Sequence, residues 1–251
     1  MQEFLEVGRL KEIWRYPVKS MAGERLERVQ VNWNGLAGDR RAAFVRGDDR
    51  SGFPWLTARQ VPELVRYRPY YTNLEDVKHS PLVVETPDGE RGCSNPAASG
   101  RTLPLDSPEL QAELAQAYGH DVSLIRIGRG IYDSLNLSLM SVATAQALNE
   151  AVEFKLDYRR FRQNLIIETF AARPFAEEAW VGSVLAIGEV RIRLNQPIER
   201  CVMVNVDPDT AVRDSRVLKL VAQTRQNCVG IGCTPENTGF IQVGDRVRLM
   251  G

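Results

Sequence analysis

The sequence predicts a mostly β protein with a minority of helix, an α+β chain in two parts, residues 1–100 and 101–251. Three observations carry this. Short apolar runs separated by glycine, asparagine and proline turns fill the first hundred residues, with no long helical pattern. That is the pattern of a small barrel or sandwich. Composition then turns small and polar at 93–102 (CSNPAASGRT), as in a loop or linker. Beyond it, capped helical segments alternate with more short strands, giving a mixed, mostly β second part.

The elements follow in order. Residues 7–15 (VGRLKEIWR) read as a strand ending near Pro17. Residues 26–33 (LERVQVNW) place Leu26, Val29, Val31 and Trp33 near a period of two. Asn34-Gly35 and Gly38-Asp39 are turn signals, residues 41–45 a strand and 48–53 a polar loop. Residues 64–74 and 81–85 read as strands, and Pro87-Asp88-Gly89 as a hairpin turn returning at 90–93. Ser107 caps a helix with Pro108 in its first turn, which runs to Tyr118 and stops at Gly119. A strand at 121–127 and a loop at 128–136 lead to a second helix over 142–152, capped by Ser141. Its apolar stripe is Val142, Ala145, Leu148 and Val152. Residues 165–167, 184–187, 190–194 and 201–206 read as strands, 175–180 as a turn of helix and 214–222 as a helix. Gly188-Glu189 makes a tight hairpin, and 239–249 forms two strands turned at Gly244-Asp245.

Lys plus Arg is 32 and Asp plus Glu is 32, so the net charge is zero, which argues against general nucleic-acid binding. Arginine dominates the basic side, and arginine is the better fork for phosphate or carboxylate. With only His79 and His120, no histidine-rich metal site can be built. The start MQEFLEVGRLKE is charged, and no apolar run approaches the roughly 18 residues of a membrane span. The expected location is therefore the cytoplasm, with Cys93, Cys201, Cys228 and Cys233 as free thiols. Cys228 and Cys233 lack CxxC spacing and read as structural.

Chemistry concentrates at Cys201, which sits between a polar turn and an apolar run, followed at once by Asp207-Pro208-Asp209. Basic clusters stand apart from it at 17–20 (PVKS), 38–41 (GDRR) and 159–164 (RRFRQN). A thiol is a soft metal ligand or a nucleophile, and basic side chains at strand ends can hold phosphate oxygens. No histidine lies near Cys201 in sequence to act as a base. Were 159–164 extended with Phe161 facing the core, Arg160 and Arg162 would share the other face. Asn164 can donate and accept on a heterocycle edge. Neither GxxxxGK[ST] nor GxGxxG is present.

These residues resemble the MOSC-domain family from end to end. RYPVKSMAGE (15–24), GLAGDRR (35–41) and FPWLTAR (53–59) are similar to the family's N-terminal β-barrel domain. RRFRQNLII (159–167), FAEEAWVGSVLAIG (175–188), RCVMVNVDPDT (200–210) and GFIQVGDRV (239–247) are similar to the MOSC domain. The resemblance implies a small N-terminal β-barrel-like domain followed by a MOSC β-barrel-type domain with peripheral helices. It also implies a molybdenum–pterin cofactor of the molybdopterin form. Cys201 would be the metal ligand and catalytic residue. Lys19, Ser20, Arg40, Arg162 and Asn164 would bind the cofactor, with Ser141, or Thr144, as a further hydroxyl. Amidoxime-reducing members imply a reductase of small N-hydroxylated compounds. Since no cysteine pattern here fits an iron–sulfur cluster, electrons would come from a separate electron-transfer protein. A cofactor or persulfide carrier is the alternative. The chain departs from the pattern at Gln163 (proline in the family), Glu199 (small and polar), Ile198 (often cysteine) and the loop 228–239.

Overall fold

The computed structural model describes residues 4–87 and 100–250. The expected turn at Pro87-Asp88-Gly89, the return strand at 90–93 and most of the loop at 93–102 lie outside the described residues. In chain order the first strands are β1 (Phe4–Arg15), β2 (Glu24–Leu26), β3 (Arg28–Asn32), β4 (Gly35–Leu36) and β5 (Ala42–Arg46). There follow β6 (Arg68–Tyr71), β7 (Leu82–Glu85), β8 (Thr102–Pro104), helix α1 (Pro108–Tyr118), β9 (Val122–Arg126) and β10 (Leu137–Ser141). Helix α2 (Val142–Glu150), β11 (Leu165–Thr169), β12 (Val184–Ile187) and β13 (Val190–Glu199) come next. The chain ends in α3 (Arg216–Arg225), β14 (Cys228–Pro235), β15 (Gly239–Gln242) and β16 (Arg246–Met250). The mostly β architecture with peripheral helices is as expected.

Seven strands close into a barrel in the order β11-β10-β14-β13-β12-β16-β1, with β1 returning to pair β11. Closure removes the exposed edges that an open sheet would leave. The longest strand makes this possible: β1 pairs β11, β16 and β2, bending at register shifts between Leu10 and Glu12 and between Glu6 and Gly8. Leu10, Ile13, Leu139, Ile167, Leu185, Ile192, Ile231 and Val247 fill the core, joined by Val29, Val31 and Ile241 of β3 and β15. Smaller sheets, β5-β9 and β6-β7-β8, pack with α1 around a second core. That core takes in Val18, Phe44, Leu64, Val84, Leu110 and Leu114, and also Val206 from beyond Cys201.

Helices α2 and α3 cover the outside of β10, β11 and β14, burying Met140, Leu148, Phe161, Ile166, Val217 and Val229 together. All five residues of β10 are therefore buried, and alternation along it is lost. Helix α1 starts and stops as expected: Leu110 donates its amide to Ser107 Oγ at 3.2 Å, and Gly119 ends the helix at φ +87°. Among the described residues no helix is long and apolar enough to cross a membrane.

Several local expectations are corrected. The segment 201–206 is a 3-10 turn, Val202–Asn205, because the Asp207 turn folds the chain back and Val206 N binds Met203 O. Residues 64–74 split into a 3-10 turn, Pro62–Arg66, and β6, since Pro62 opens the turn. Residues 158–161 also form a 3-10 turn, so Arg160 is buried beside Phe161 instead of sharing an outward face with Arg162. β14 occupies much of the expected loop 228–239, and β10 lies where no strand was expected.

Candidate functional site

Three chain segments far apart in sequence converge on Tyr16, which lies just past β1. The Tyr16 amide donates to Asp39 Oδ1 at 2.7 Å, and its carbonyl accepts from Arg40 N at 2.7 Å. Its ring faces Arg40 at 4.9 Å and Arg162 at 4.3 Å, guanidinium carbon to centroid. Such stacking partly compensates two guanidinium groups for lost water. Burial pushes the Tyr16 hydroxyl up to about 12, against the pull of Arg162 and Arg40, so it stays neutral near pH 7.

Asp39 is the fixed point. It is fully buried, forms an ion pair with Arg40, and accepts from Asn164 Nδ2 at 3.2 Å. Asn164 also donates to Trp14 O at 3.1 Å and accepts from Ser138 Oγ at 3.1 Å. Arg40 continues to Arg162 O at 3.0 Å. Three of the loop residues here, Ser20, Arg40 and Arg162, hold φ of 65°, 51° and 50°. A side chain in that left-handed region costs roughly 1–3 kcal/mol and persists only where the surroundings enforce it.

Arg162 is the least satisfied member. It donates from Nη1 to Met21 O at 2.7 Å, while its Nη2 is buried with no partner among the described residues. Burial pulls its guanidinium down to about 10. Lys19 is buried as well and donates to Asp133 Oδ1 at 2.6 Å, with its ammonium 5.5 Å from the Phe53 ring centroid. Burial lowers the Lys19 ammonium below its usual value, Asp133 opposes that, and Arg40 and Arg162 add to it.

Arg162 also lines a cavity of about 300 Å³, together with Trp14, Tyr16, Arg159, Arg160 and Met203, and with Arg25 and Arg68. Arg159 pairs with Asp157 and Asp209, and Arg160 with Asp207 at 2.7 Å. Arg25, Arg68 and Arg162 are in no ion pair among the described residues. The cavity wall is therefore rich in uncompensated positive charge, flanked by aromatic and thioether surface.

Cys201 is half-buried at the start of its 3-10 turn, and Met203, two residues on, reaches the cavity wall while Cys201 does not. Arg200 holds this turn against the 158–161 turn, donating to Phe161 O and, from Nε, to Val229 O, each at 2.9 Å. Burial pulls the Arg200 guanidinium down to about 10, with Cys201 and Cys228 opposing and Arg40 adding to the shift. Cys233 is sealed in the barrel core and burial pushes its thiol up. Among the described residues no three His, Cys, Asp or Glu side chains gather to hold a metal.

Lys19, Arg40, Arg162 and Asn164 are thus brought together, with Ser20 in the same turn as Lys19. Ser141 stands apart: its hydroxyl accepts from Thr144 N at 3.1 Å and donates to Thr144 Oγ1, capping α2, while Thr144 Oγ1 accepts from Phe175 N. The departures from the family pattern also find places. Glu199 is exposed and accepts from Asn227 Nδ2. Gln163 lies against Gly230, where a Cβ would stand 2.1 Å from Gln163 Nε2. Sequence reasoning missed Tyr16, Asp133, Arg25 and Arg68. Tyr16 had a local signal, adjoining PVKS at the end of a strand; the other three acquire meaning only through neighbours distant in sequence.

The MOSC domain family model matches residues 131–248, and the MOSC N-terminal beta barrel domain model matches residues 7–116. The chain is 26% identical to mitochondrial amidoxime-reducing component 1 of Homo sapiens, over 98% of this chain and 84% of that protein. Identity to mitochondrial amidoxime reducing component 2 of Homo sapiens is also 26%, over 98% and 84%. Molybdenum cofactor sulfurase of Drosophila ananassae is 27% identical over 93% of this chain, which spans 33% of that protein. The crystal structure of the YUAD protein from Bacillus subtilis aligns over 99% of this chain and 98% of that one, with a TM-score of 0.49 and 10% identity.

Proposed function

Because the chain belongs to the MOSC-domain family, we propose that its cationic cluster and cavity hold a molybdenum–pterin cofactor and that the protein reduces small N-hydroxylated compounds. The observation that carries this is Arg162: a buried guanidinium with an unpartnered Nη2, shared between the Lys19–Arg40 cluster and the arginine-lined cavity. A buried donor without an acceptor is costly, and an anionic ligand supplies acceptors. The donor set fits a phosphate-bearing heterocycle. Lys19, Arg40 and Arg162 would neutralise the phosphate, the Ser20 turn would contribute donors, and Asn164 would fix Arg40 or a heterocycle edge. Cys201 would be the protein's metal ligand and catalytic residue.

When bound, the cofactor supplies the two-electron chemistry that converts N–OH to N–H with release of water. The protein's part is to bind, orient and exclude solvent. Asp39 locks Arg40 in place. Arg200 and Arg160 pin the Cys201 turn to the cluster through Phe161 O and Asn205 O. The names of the amidoxime-reducing relatives support the substrate class, and a separate electron-transfer protein would deliver the electrons. The cytoplasmic location expected from composition belongs to this reading and is checked by fractionation.

The test is metal and pterin analysis of protein from a molybdenum-replete host, beside Cys201→Ala, followed by N-hydroxyamidine reduction with a chemical electron donor. Stoichiometric molybdenum in the wild type, absent from the variant, with turnover, is expected. Neither molybdenum nor pterin in the wild type would overturn the reading. The half-buried state of Cys201 also leaves room for a carrier, since a thiol that passes on sulfur must be reached. Mobile sulfane sulfur on Cys201 without molybdenum would establish that role instead.

A further inference from the structure

The carboxylate that answers Lys19 sits on a short span between two anchored points of a loop. The side chain of Lys19 is 7% exposed and that of Asp133 is 64% exposed, so a surface carboxylate reaches inward to a buried cation. The loop carrying it is fastened on both sides. Ile131 N binds Arg40 O at 2.8 Å, Tyr132 Oη donates to Asn34 O at 2.8 Å, and Asn136 Nδ2 donates to Trp33 O at 2.9 Å. Between these anchors, residues 133–135 make no backbone hydrogen bond to the rest of the chain among the described residues. Among the described residues the Lys19 contact is the one hydrogen bond of the Asp133 side chain. Asp39 and, more weakly, Asp133 oppose the lowering of the Arg162 guanidinium, whose Nη2 has no partner among the described residues.

We propose that Asp133 is a displaceable internal anion: its carboxylate occupies the place beside Lys19 that the phosphate of an incoming ligand takes. Arg40 has Asp39 as its counter-charge, so in the empty site Asp133 is what keeps Lys19 from standing unpaired, and a phosphate must release Asp133 to solvent to enter. An exposed carboxylate loses little on returning to water, whereas Lys19 cannot be left without a counter-charge. The exchange is therefore easy from the side of Asp133 and obligatory from the side of Lys19. This inference rests on the reading that the cluster receives an anion, and its test does not depend on turnover.

The probe is inorganic phosphate, titrated calorimetrically into the 251-residue chain prepared without cofactor. Asp133→Asn should bind phosphate about tenfold more tightly than wild type, the scale of one lost charged competitor. Lys19→Met should abolish binding in both backgrounds. Asp106→Asn, which removes an exposed carboxylate of the Arg126 pair, should change affinity less than about twofold, separating competition from net charge. Without phosphate, Asp133→Asn should melt below wild type, and phosphate should raise its Tm by more. Equal or weaker phosphate binding by Asp133→Asn overturns the proposal. So does absence of binding by every variant, while molybdenum and pterin content judges the cofactor reading separately.

Discussion

Arg160 and Arg162 stand two positions apart, both touch the cavity, and they do different work. Arg160 is consumed by the fold: it donates to Asn205 O at 2.9 Å and to Asp207 Oδ2 at 2.7 Å, tying the turn before β11 to the turn after Cys201. Arg162, turned away by its left-handed backbone, meets a carbonyl, an aromatic face and other cations, with no carboxylate in ion-pair contact among the described residues. Arg160 has a carboxylate bonded to it, whereas Arg162 is short of the acceptors that the proposed anion would supply. Sequence position does not separate the two; the partner does.

The sharpest way to break this contrast is at Asp39. Asp39→Asn leaves the largely buried Arg40 without its counter-charge, which should cost about 3–5 kcal/mol of stability in urea unfolding. A change under about 1 kcal/mol would show that Arg40 is not held by this pair. Arg160→Met should cost about 3 kcal/mol, because Asp207 and Asn205 O lose a buried donor. Arg162→Met, two residues on, should stay within about 1 kcal/mol of wild type, since removing an unsatisfied guanidinium relieves desolvation. It should nonetheless lose the cofactor, measured as molybdenum and pterin content. Equal stability losses for the two variants would dissolve the distinction between them.

Acid should act on the scaffold corner. Burial raises the Asp207 carboxyl, but hydrogen bonds from Thr210 and Asp209 and the charge of Arg160 outweigh it and hold the group below its ordinary value of 3.8. A depressed folded value means that Asp207 contributes stability above 3.8 and loses it as pH falls through the folded value. Wild type should thus lose more stability than Asp207→Asn as pH falls below about 4, compared by urea midpoints. The smallest effect is expected at Ser141. Ser141→Ala should cost about 1 kcal/mol as a lost helix cap, with cofactor content retained. Loss of cofactor as well would place this hydroxyl in the binding site.

Local chemistry was legible where one neighbourhood settles the backbone. Ser107, Pro108 and Gly119 bound α1 as read, because a cap, a fixed φ and a left-handed stop act within a turn or two. The hairpin at Gly188-Glu189 was equally plain, with Ile187 facing Val190. Reading failed at β10, LSLMS, since covering by α2 on one face and the core on the other erases alternation. It failed at β14, CVGIGCTP, where glycines and cysteines imitate a loop and Gly230 is required by Gln163 packed against it. The turn after Cys201 looked like a strand because Val202, Val204 and Val206 alternate; only Val204 and Val206 are buried, and they enter different cores.

By itself the sequence determined the mostly β character, the helix ends and the residue types able to hold an anion and a soft metal, since those follow from short-range periodicity and side-chain chemistry. Tertiary structure decided which arginines remain uncompensated, that Tyr16 and Asp39 organise the cluster, and that Asp133 meets Lys19 from 114 residues away. Charge compensation in a buried site is settled by which groups the fold brings within a few ångströms, and barrel closure draws those groups from opposite ends of the chain.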